Sequence, residues 1–235
     1  MKSEIYWQDR KLRRKVWSVT RCLLCAAFFT LHSSLFISCS ESDDDETTNE
    51  FANWQQRNEA YFASLEDSLN HGGATWKKIK SFTKDENTAG ILTDYIYVKV
   101  LEPNTAADTG SPIYTDSVRV AYRGRLIPSV SYPQGLVFDQ TYIGDYDIRT
   151  LNVSDMQVKD CFVIGFSTAL MHMTRGDHWR VFIPYQLAYG TTATDAIPAY
   201  STLIFDIALI DFHKNNEQWF YPWYARMQQG ECFFP

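Results

Sequence analysis

The chain has 235 residues, of which 45% are hydrophobic and 21% are charged, and its formal net charge is −6. That length suits one domain with appended segments. An acidic chain is a poor partner for nucleic acid, because such binding depends on Lys and Arg side chains that neutralise phosphates.

The first 38 residues predict an export signal. A basic lead that includes Lys2 and Arg10 precedes the apolar run CLLCAAFFTLHSSLFI. This run is too short and too polar to predict a membrane span. The sequence after residue 38 holds 15 basic and 26 acidic residues, a net charge of −11. Because it has no basic patch for anionic lipids, attachment to a membrane would depend on acyl chains.

A cysteine follows the apolar run directly. The segment FISC, which ends at Cys39, resembles the lipobox of bacterial lipoproteins, where the cysteine becomes the lipidated first residue of the mature chain. The acidic run SESDDDE behind it resembles the signal that some Gram-negative bacteria use to send lipoproteins to the cell surface. These resemblances imply a lipid anchor in the outer membrane, periplasmic or surface-exposed, with residues 39–50 as an acidic tether. The alternative is an ordinary signal-anchor helix followed by an acidic linker.

Two later cysteines, Cys161 and Cys232, allow two interpretations. In an oxidising compartment they could form a disulfide bond that ties the C-terminal tail to the core. Otherwise they are two buried thiols, and the sequence leaves both readings open.

From Phe51 to Asn70 the apolar residues recur at mostly helical spacing, and Gly72 and Gly73 end the pattern. This predicts one amphipathic helix of about five turns. We assign residues 51–90 to an N-terminal helical extension. Its helix would pack on the domain, or alternatively act as a dimer contact or spacer.

After residue 90 the pattern changes to the alternation typical of strands, in DYIYVKVLE, DSVRVAYRGRL, GLVFDQT, DHWRVFIPY and STLIFDIALIDFH. In the second of these, alternation predicts inward side chains at Val118, Val120 and Tyr122 and outward ones at Arg119, Ala121 and Arg123. The segment VIGFSTALMHMTRG has apolar residues on one face of a short helix that Gly176 is placed to end. The fold predicted is α+β, an antiparallel curved sheet wrapped around one short helix.

Several kinds of catalytic or metal site find no support in the sequence. GFSTA, at residues 165–169, resembles a hydrolase elbow only superficially, because that elbow needs a parallel α/β scaffold and Ser167 falls on the polar side of the short helix. The five histidines lack the spacing of metal ligands, and there is no glycine-rich phosphate loop. No metal and no cofactor are predicted.

The order of the remaining motifs is more informative. VRVAYRGRL, GLVFDQT, VIGFSTALMHMTRGDHWRVFIPYQLAYG and AIPAYSTLIFDIALIDF resemble, in this order, the FKBP-type peptidyl-prolyl cis-trans isomerases. The resemblance covers roughly residues 94–213, and we assign residues 91–213 to an FKBP-like domain.

The resemblance implies one proline-binding pocket. It implies Asp139 and Tyr189 as catalytic residues and assigns substrate binding to Tyr122, Phe138, Phe162, Val163, Phe166, Ile197 and Phe205. The floor of the family's pocket is commonly tryptophan, and here it is Phe166. An aromatic wall residue of the family has no clear match, with Val153 or Leu151 as the candidate. Alternation would place Phe138 and Asp139 on opposite faces, so both can reach one pocket only at a strand end or a bulge.

The function implied is isomerisation of Xaa-Pro bonds in exported or surface proteins, by a non-covalent mechanism. Proline-containing polypeptides would be the partners, and the pocket could also accept a macrolide of the kind that FKBP-type proteins bind. The alternative is an FKBP-like binding module or chaperone subunit with little or no isomerase activity. The aromatic tail, residues 214–235, either packs on the domain or forms a partner-binding patch that would favour this alternative.

Overall fold

The computed structural model describes residues 50–104, 110–161 and 163–214. Its α-helices are α1 (Trp54–His71) and α2 (Ile164–Leu170), and its strands are β1 (Trp76–Lys80), β2 (Tyr95–Glu102), β3 (Ser117–Arg125), β4 (Val137–Gln140), β5 (Ser154–Gln157), β6 (His178–Ile183) and β7 (Leu203–His213). Single turns of 3-10 helix span Gly73–Thr75, Leu92–Asp94, Val158–Asp160 and Tyr185–Leu187. Several predictions lie outside the described residues, namely the export signal, Cys39, the tether up to residue 49, Phe162, Cys232 and the tail from residue 215.

The strands form one antiparallel sheet in the order β1-β2-β6-β7-β3-β4. The edge of β3 pairs with two strands in succession, since β5 lies against its first half and β4 against its second half. This arrangement, with α2 packed on one face of the sheet, confirms the predicted α+β fold.

The N-terminal segment differs in part from the prediction. Helix α1 has 18 residues and confirms the predicted amphipathic helix of about five turns. Residues 76–80, however, form β1, which pairs with β2 from Trp76 opposite Lys99 to Lys80 opposite Tyr95. The boundary drawn at residue 90 therefore separates a strand from its partner. The lysines of WKKIK concealed the strand, because they interrupt the apolar alternation.

Helix α2 lies close against the inner face of the sheet. A Cβ on Gly165 would lie 2.3 Å from Cγ2 of Ile183 and 3.1 Å from Cγ2 of Ile96. Only a residue without a side chain allows this approach, so Gly165 brings the helix down onto β6 and β2. The helix ends at Leu170, earlier than the predicted end at Gly176, which instead lies in the turn before β6 with a φ of 89°.

The outer face of the sheet is also covered. Helix α1 covers one end, where Phe62 and Leu65 pack on Tyr97, Phe182 and Ile204. At the other end, residues 141–153 cover a second cluster made of Ala121, Tyr142, Leu151, Ala208 and Ile210.

The predicted outward orientation of Arg119 and Ala121 does not lead to exposure. Arg119 is buried and its guanidinium pairs with Asp155 of β5, at 2.7 Å from Nε to Oδ1. Ala121 is buried beneath residues 141–153. Alternation predicts which face of the sheet a side chain takes, and it cannot show that both faces are covered.

Candidate active site

A pocket of about 310 Å³ opens between α2 and the inner face of the sheet. Its lining contains aromatic rings, two sulfur atoms and two carboxylates, from Tyr122, Asp139, Met156, Asp160, Cys161, Val163, Phe166, Tyr189 and Phe205. Six of these residues were predicted from the resemblance, so the structure brings most of the predicted site together.

Aromatic rings form the base of the pocket. The ring centroid of Phe166 lies 5.7 Å from that of Tyr122 and 5.1 Å from that of Phe205, and both pairs meet edge to face. Phe166 is 5% exposed, as is Phe205. Edge-to-face contacts between buried rings fix their orientation. The floor is therefore a rigid apolar surface.

A bulge places Phe138 and Asp139 on the same side of the sheet. Asp139 pairs with Gly124, while Arg125 pairs with Val137, so Phe138 is the extra residue between two registers. Of the two possibilities that the sequence left open, a strand end or a bulge, the structure shows a bulge. The ring of Phe138 packs behind the pocket on Phe205, at 5.5 Å between centroids, while the Asp139 carboxylate reaches the lining.

Gly124 leaves the space that these rings occupy. A Cβ at this position would lie 2.6 Å from Cζ of Phe138 and 2.7 Å from Cε1 of Phe205. Any side chain here would displace one of the two rings. This explains in physical terms why a glycine follows Tyr122 by two residues.

One edge of the pocket is polar. The Tyr122 hydroxyl donates a hydrogen bond to Oδ2 of Asp139 over 2.8 Å. Burial, followed by the hydrogen bond to Asp139 and the charge of its carboxylate, raises the pKa of Tyr122. Burial and then the charge of Asp139 also raise the pKa of Tyr189. Both phenols therefore remain protonated at neutral pH.

Tyr189 is the residue best placed to hold a ligand. It is 36% exposed and lines the pocket. No described residue serves as a hydrogen-bond partner for its hydroxyl, so that group can donate to a bound molecule.

Ile197 has a different position from the one predicted. It is 4% exposed and belongs to the core behind the pocket lining. Its backbone N–H donates to Oγ1 of Thr194 over 3.1 Å. Ile197 therefore anchors the rim loop, which we define as residues 188–202 before β7. Phe162 lies outside the described residues.

Sequence reasoning missed three residues of the lining, Met156, Asp160 and Cys161. Met156 lies on β5 and supplies the wall for which Val153 or Leu151 was the candidate, whereas both candidates pack in the cluster on the outer face. The segment SDMQ has no apolar alternation that would have identified a strand. Cys161 is a free thiol, and burial raises its pKa to about 11. It is therefore uncharged at neutral pH.

Ser167 is buried, although it was predicted on the polar side of the helix. Its hydroxyl donates to the carbonyl oxygen of Val158 over 2.9 Å. The serine is thus bound to the backbone and does not face the pocket lining, which gives no geometry for a nucleophile.

Comparison with known proteins identifies this part of the chain. The model of the family described as FKBP-type peptidyl-prolyl cis-trans isomerase matches residues 110–210. By this match, residues 110–210 carry the sequence features of the FKBP-type family. The match includes all the residues that line the pocket and strands β3 to β6 with most of β7, whereas α1, β1 and β2 lie before it.

Curated relatives agree with this assignment. The chain is 38% identical over 108 residues to a macrophage infectivity potentiator of Trypanosoma cruzi, an alignment of 46% of this chain and 48% of the relative. It is 32% identical over 142 residues to the peptidyl-prolyl cis-trans isomerase Mip of Coxiella burnetii, covering 59% and 55%. It is 34% identical over 125 residues to the outer membrane protein MIP of Legionella longbeachae, covering 53% and 47%. The chain spans about half the length of these relatives.

No helix in residues 50–104, 110–161 and 163–214 combines the length and the apolar character needed to cross a membrane.

Proposed function

We propose that the FKBP-type domain, within residues 91–213, catalyses cis-trans isomerisation of Xaa-Pro bonds. The observation that carries this proposal is the aromatic pocket in the family-matched range, with the Tyr122 and Asp139 hydrogen bond at its edge. Its substrates would be proline-containing polypeptides.

An apolar pocket can lower the barrier to rotation without a nucleophile. Amide resonance makes the barrier about 18–20 kcal/mol. Water stabilises the planar, charge-separated amide, so transfer into an apolar cleft lowers the relative cost of the twisted form. This is preferential binding of the transition state, and a ten-thousand-fold acceleration requires about 5.4 kcal/mol.

The residues of the pocket then have distinct roles. The proline ring lies on Phe166, between the rings of Tyr122 and Phe205. The Tyr189 hydroxyl donates to a substrate carbonyl and holds the peptide while the bond rotates. Asp139 orients Tyr122 and presents a carboxylate to the twisting amide. Covalent chemistry is not required, which agrees with a protonated Cys161 and a buried Ser167.

Peptide isomerisation by the full chain tests this proposal. We expect Tyr189→Phe to reduce kcat/KM about two- to thirteenfold, the effect of one neutral hydrogen bond. Asp139→Ala should reduce it about tenfold or more, because it also leaves Tyr122 without an acceptor. A macrolide that binds FKBP-type pockets should compete with the peptide.

The matched control is Tyr132→Phe, which removes an exposed hydroxyl outside the pocket lining. It should leave kcat/KM unchanged. A folded wild-type chain with no isomerase activity would contradict the proposal and favour a binding module with the same fold.

We also propose that Cys39 carries a lipid anchor and that residues 39–50 tether the domain to the outer membrane. The lipobox-like FISC and the acidic run behind it support this, and a similar Legionella longbeachae protein is named an outer membrane protein. Cys39→Ala should move the protein from the membrane fraction to the soluble fraction. Persistence of that variant in the membrane fraction would contradict the anchor.

A further inference from the structure

Every charged side chain among the described residues that line the pocket is negative. Asp139 and Asp160 contribute carboxylates, and the lining has no Lys or Arg. A substrate that enters this pocket therefore meets negative charge at its polar edge.

The two carboxylates differ in what they contact. Asp139 already accepts a hydrogen bond from the Tyr122 hydroxyl. Asp160 is exposed, and no described residue gives it a hydrogen bond or an ion pair. Its charge also acts on the pocket interior, since it is one of the influences that raise the pKa of Cys161, after burial. Within the part of the chain that the structure describes, Asp160 is thus the pocket carboxylate that no hydrogen bond or ion pair compensates.

The negative charge of Asp160 would act on the side chain of the residue before proline. Its carbonyl belongs to the bond that rotates, so it is held beside the pocket when the proline ring occupies the floor. A cationic side chain at this position would be attracted by Asp160, and an acidic one would be repelled by both carboxylates.

We propose that Asp160 is a specificity residue that makes the pocket prefer Lys-Pro and Arg-Pro bonds. This inference rests on the proposed isomerase function and specifies its substrate class. Because Asp160 is exposed, the preference is modest, about 1.4- to 5-fold in kcat/KM for Lys over an uncharged side chain of the same length. It decreases with salt, because salt screens exposed charges.

Three peptides that differ only before proline test the inference with the full chain, namely Lys-Pro-Phe, norleucine-Pro-Phe and Glu-Pro-Phe. At low salt we expect kcat/KM to fall in that order. Asp160→Asn should bring the ratio of Lys to norleucine close to one. Glu86→Gln removes an equal charge from an exposed residue outside the pocket lining, and it should leave the ratio unchanged.

The outcomes separate the two proposals. Equal rates for the three peptides, or a Lys preference that Asp160→Asn leaves intact, would overturn this inference alone. Isomerisation of none of the peptides would overturn both the isomerase function and the inference.

Discussion

Phe205 and Asp206 are neighbours on β7, yet their side chains lie on opposite faces of the sheet. Phe205 lines the pocket and contacts the ring of Phe166. Asp206 accepts hydrogen bonds from Arg125 Nη2 at 2.5 Å and from Arg180 Nε at 2.6 Å. Successive residues of a strand point to opposite faces, so one strand serves a ligand pocket and a buried ion-pair cluster with an offset of one residue.

The comparison teaches that function and stability are carried by different faces of the same strands. The pocket face leaves part of its aromatic surface open for a ligand. Charged side chains on the outer face form ion pairs with one another. A buried charge that loses its partner is strongly destabilising. Changes on the outer face should therefore lower stability first, and changes in the pocket should lower activity first.

The largest effect should come from Asp206→Asn. This variant leaves the guanidinium groups of Arg125 and Arg180 without a carboxylate, and removal of one partner from a buried pair costs about 3 kcal/mol. We expect that loss in the free energy of unfolding, measured by urea denaturation. Asp147→Asn breaks an ion pair with the exposed Arg149, and because water screens exposed charges it should cost much less stability than Asp206→Asn. Equal losses in the two variants would break the comparison.

The pH dependence of stability sharpens the same contrast. His178 lies on the outer face, stacked on Tyr146 with 3.8 Å between ring centroids and with Asp206 and Arg180 near it. Burial lowers its pKa to about 4. Since the unfolded value is near 6.5, its contribution to stability is complete above about pH 6.5 and is lost as the pH falls towards 4.

The free energy of unfolding should fall by up to about 1.4 kcal/mol per pH unit between pH 6.5 and pH 4. Urea denaturation between pH 7 and pH 5.5 should show it for the wild type and not for His178→Phe, which keeps an aromatic ring against Tyr146. His71→Gln removes an exposed histidine and should retain the slope. A wild-type slope that His178→Phe leaves intact would contradict this account.

A smaller effect is expected where the N-terminal helix meets the rim of the pocket. Nε1 of Trp54 donates to Oγ of Ser201 over 2.8 Å, and that hydroxyl donates to the carbonyl of Pro198 over 2.6 Å. Trp54→Phe removes one buried hydrogen bond, which should cost about 1 kcal/mol of stability. Because Pro198 follows Ile197 in the rim loop, we expect a higher KM for the peptide as well.

Trp54→Phe should therefore lower the stability and raise the KM for the peptide, whereas Asp206→Asn and His178→Phe should change stability. Trp54→Phe in a Ser201→Ala background should raise KM little further, because Trp54 acts on the rim only through the Ser201 hydroxyl. Additive effects of the two substitutions on KM would show that the helix does not act on the rim through Ser201.

The sequence predicted the parts of the fold whose patterns are long. β2, β3, β6 and β7 follow apolar alternation, and α1 follows helical spacing. β1 and β5 were missed because WKKIK and SDMQ are short and carry few apolar residues. Residues 141–153 show no sign in the sequence that they cover the outer face.

The site was predictable where motif order identifies residues. Tyr122, Asp139, Val163, Phe166, Tyr189 and Phe205 were found in this way, and all of them line the pocket. Met156 was not, because its place depends on how β5 pairs with β3. The position of Ile197 behind the lining could not be predicted from the sequence either, since it follows from a contact with Thr194 in the rim loop.

The most direct test of the account is exchange NMR spectroscopy of a Xaa-Pro peptide with a small proportion of the full chain. Uncatalysed isomerisation takes about 10–100 s at 25 °C, so the free peptide gives separate cis and trans signals without exchange between them. The account predicts exchange cross-peaks between these signals when the protein is added, and much weaker cross-peaks when Asp139→Ala replaces the wild type. Peptide signals that shift with binding but give no exchange cross-peaks would contradict catalysis and leave a binding module.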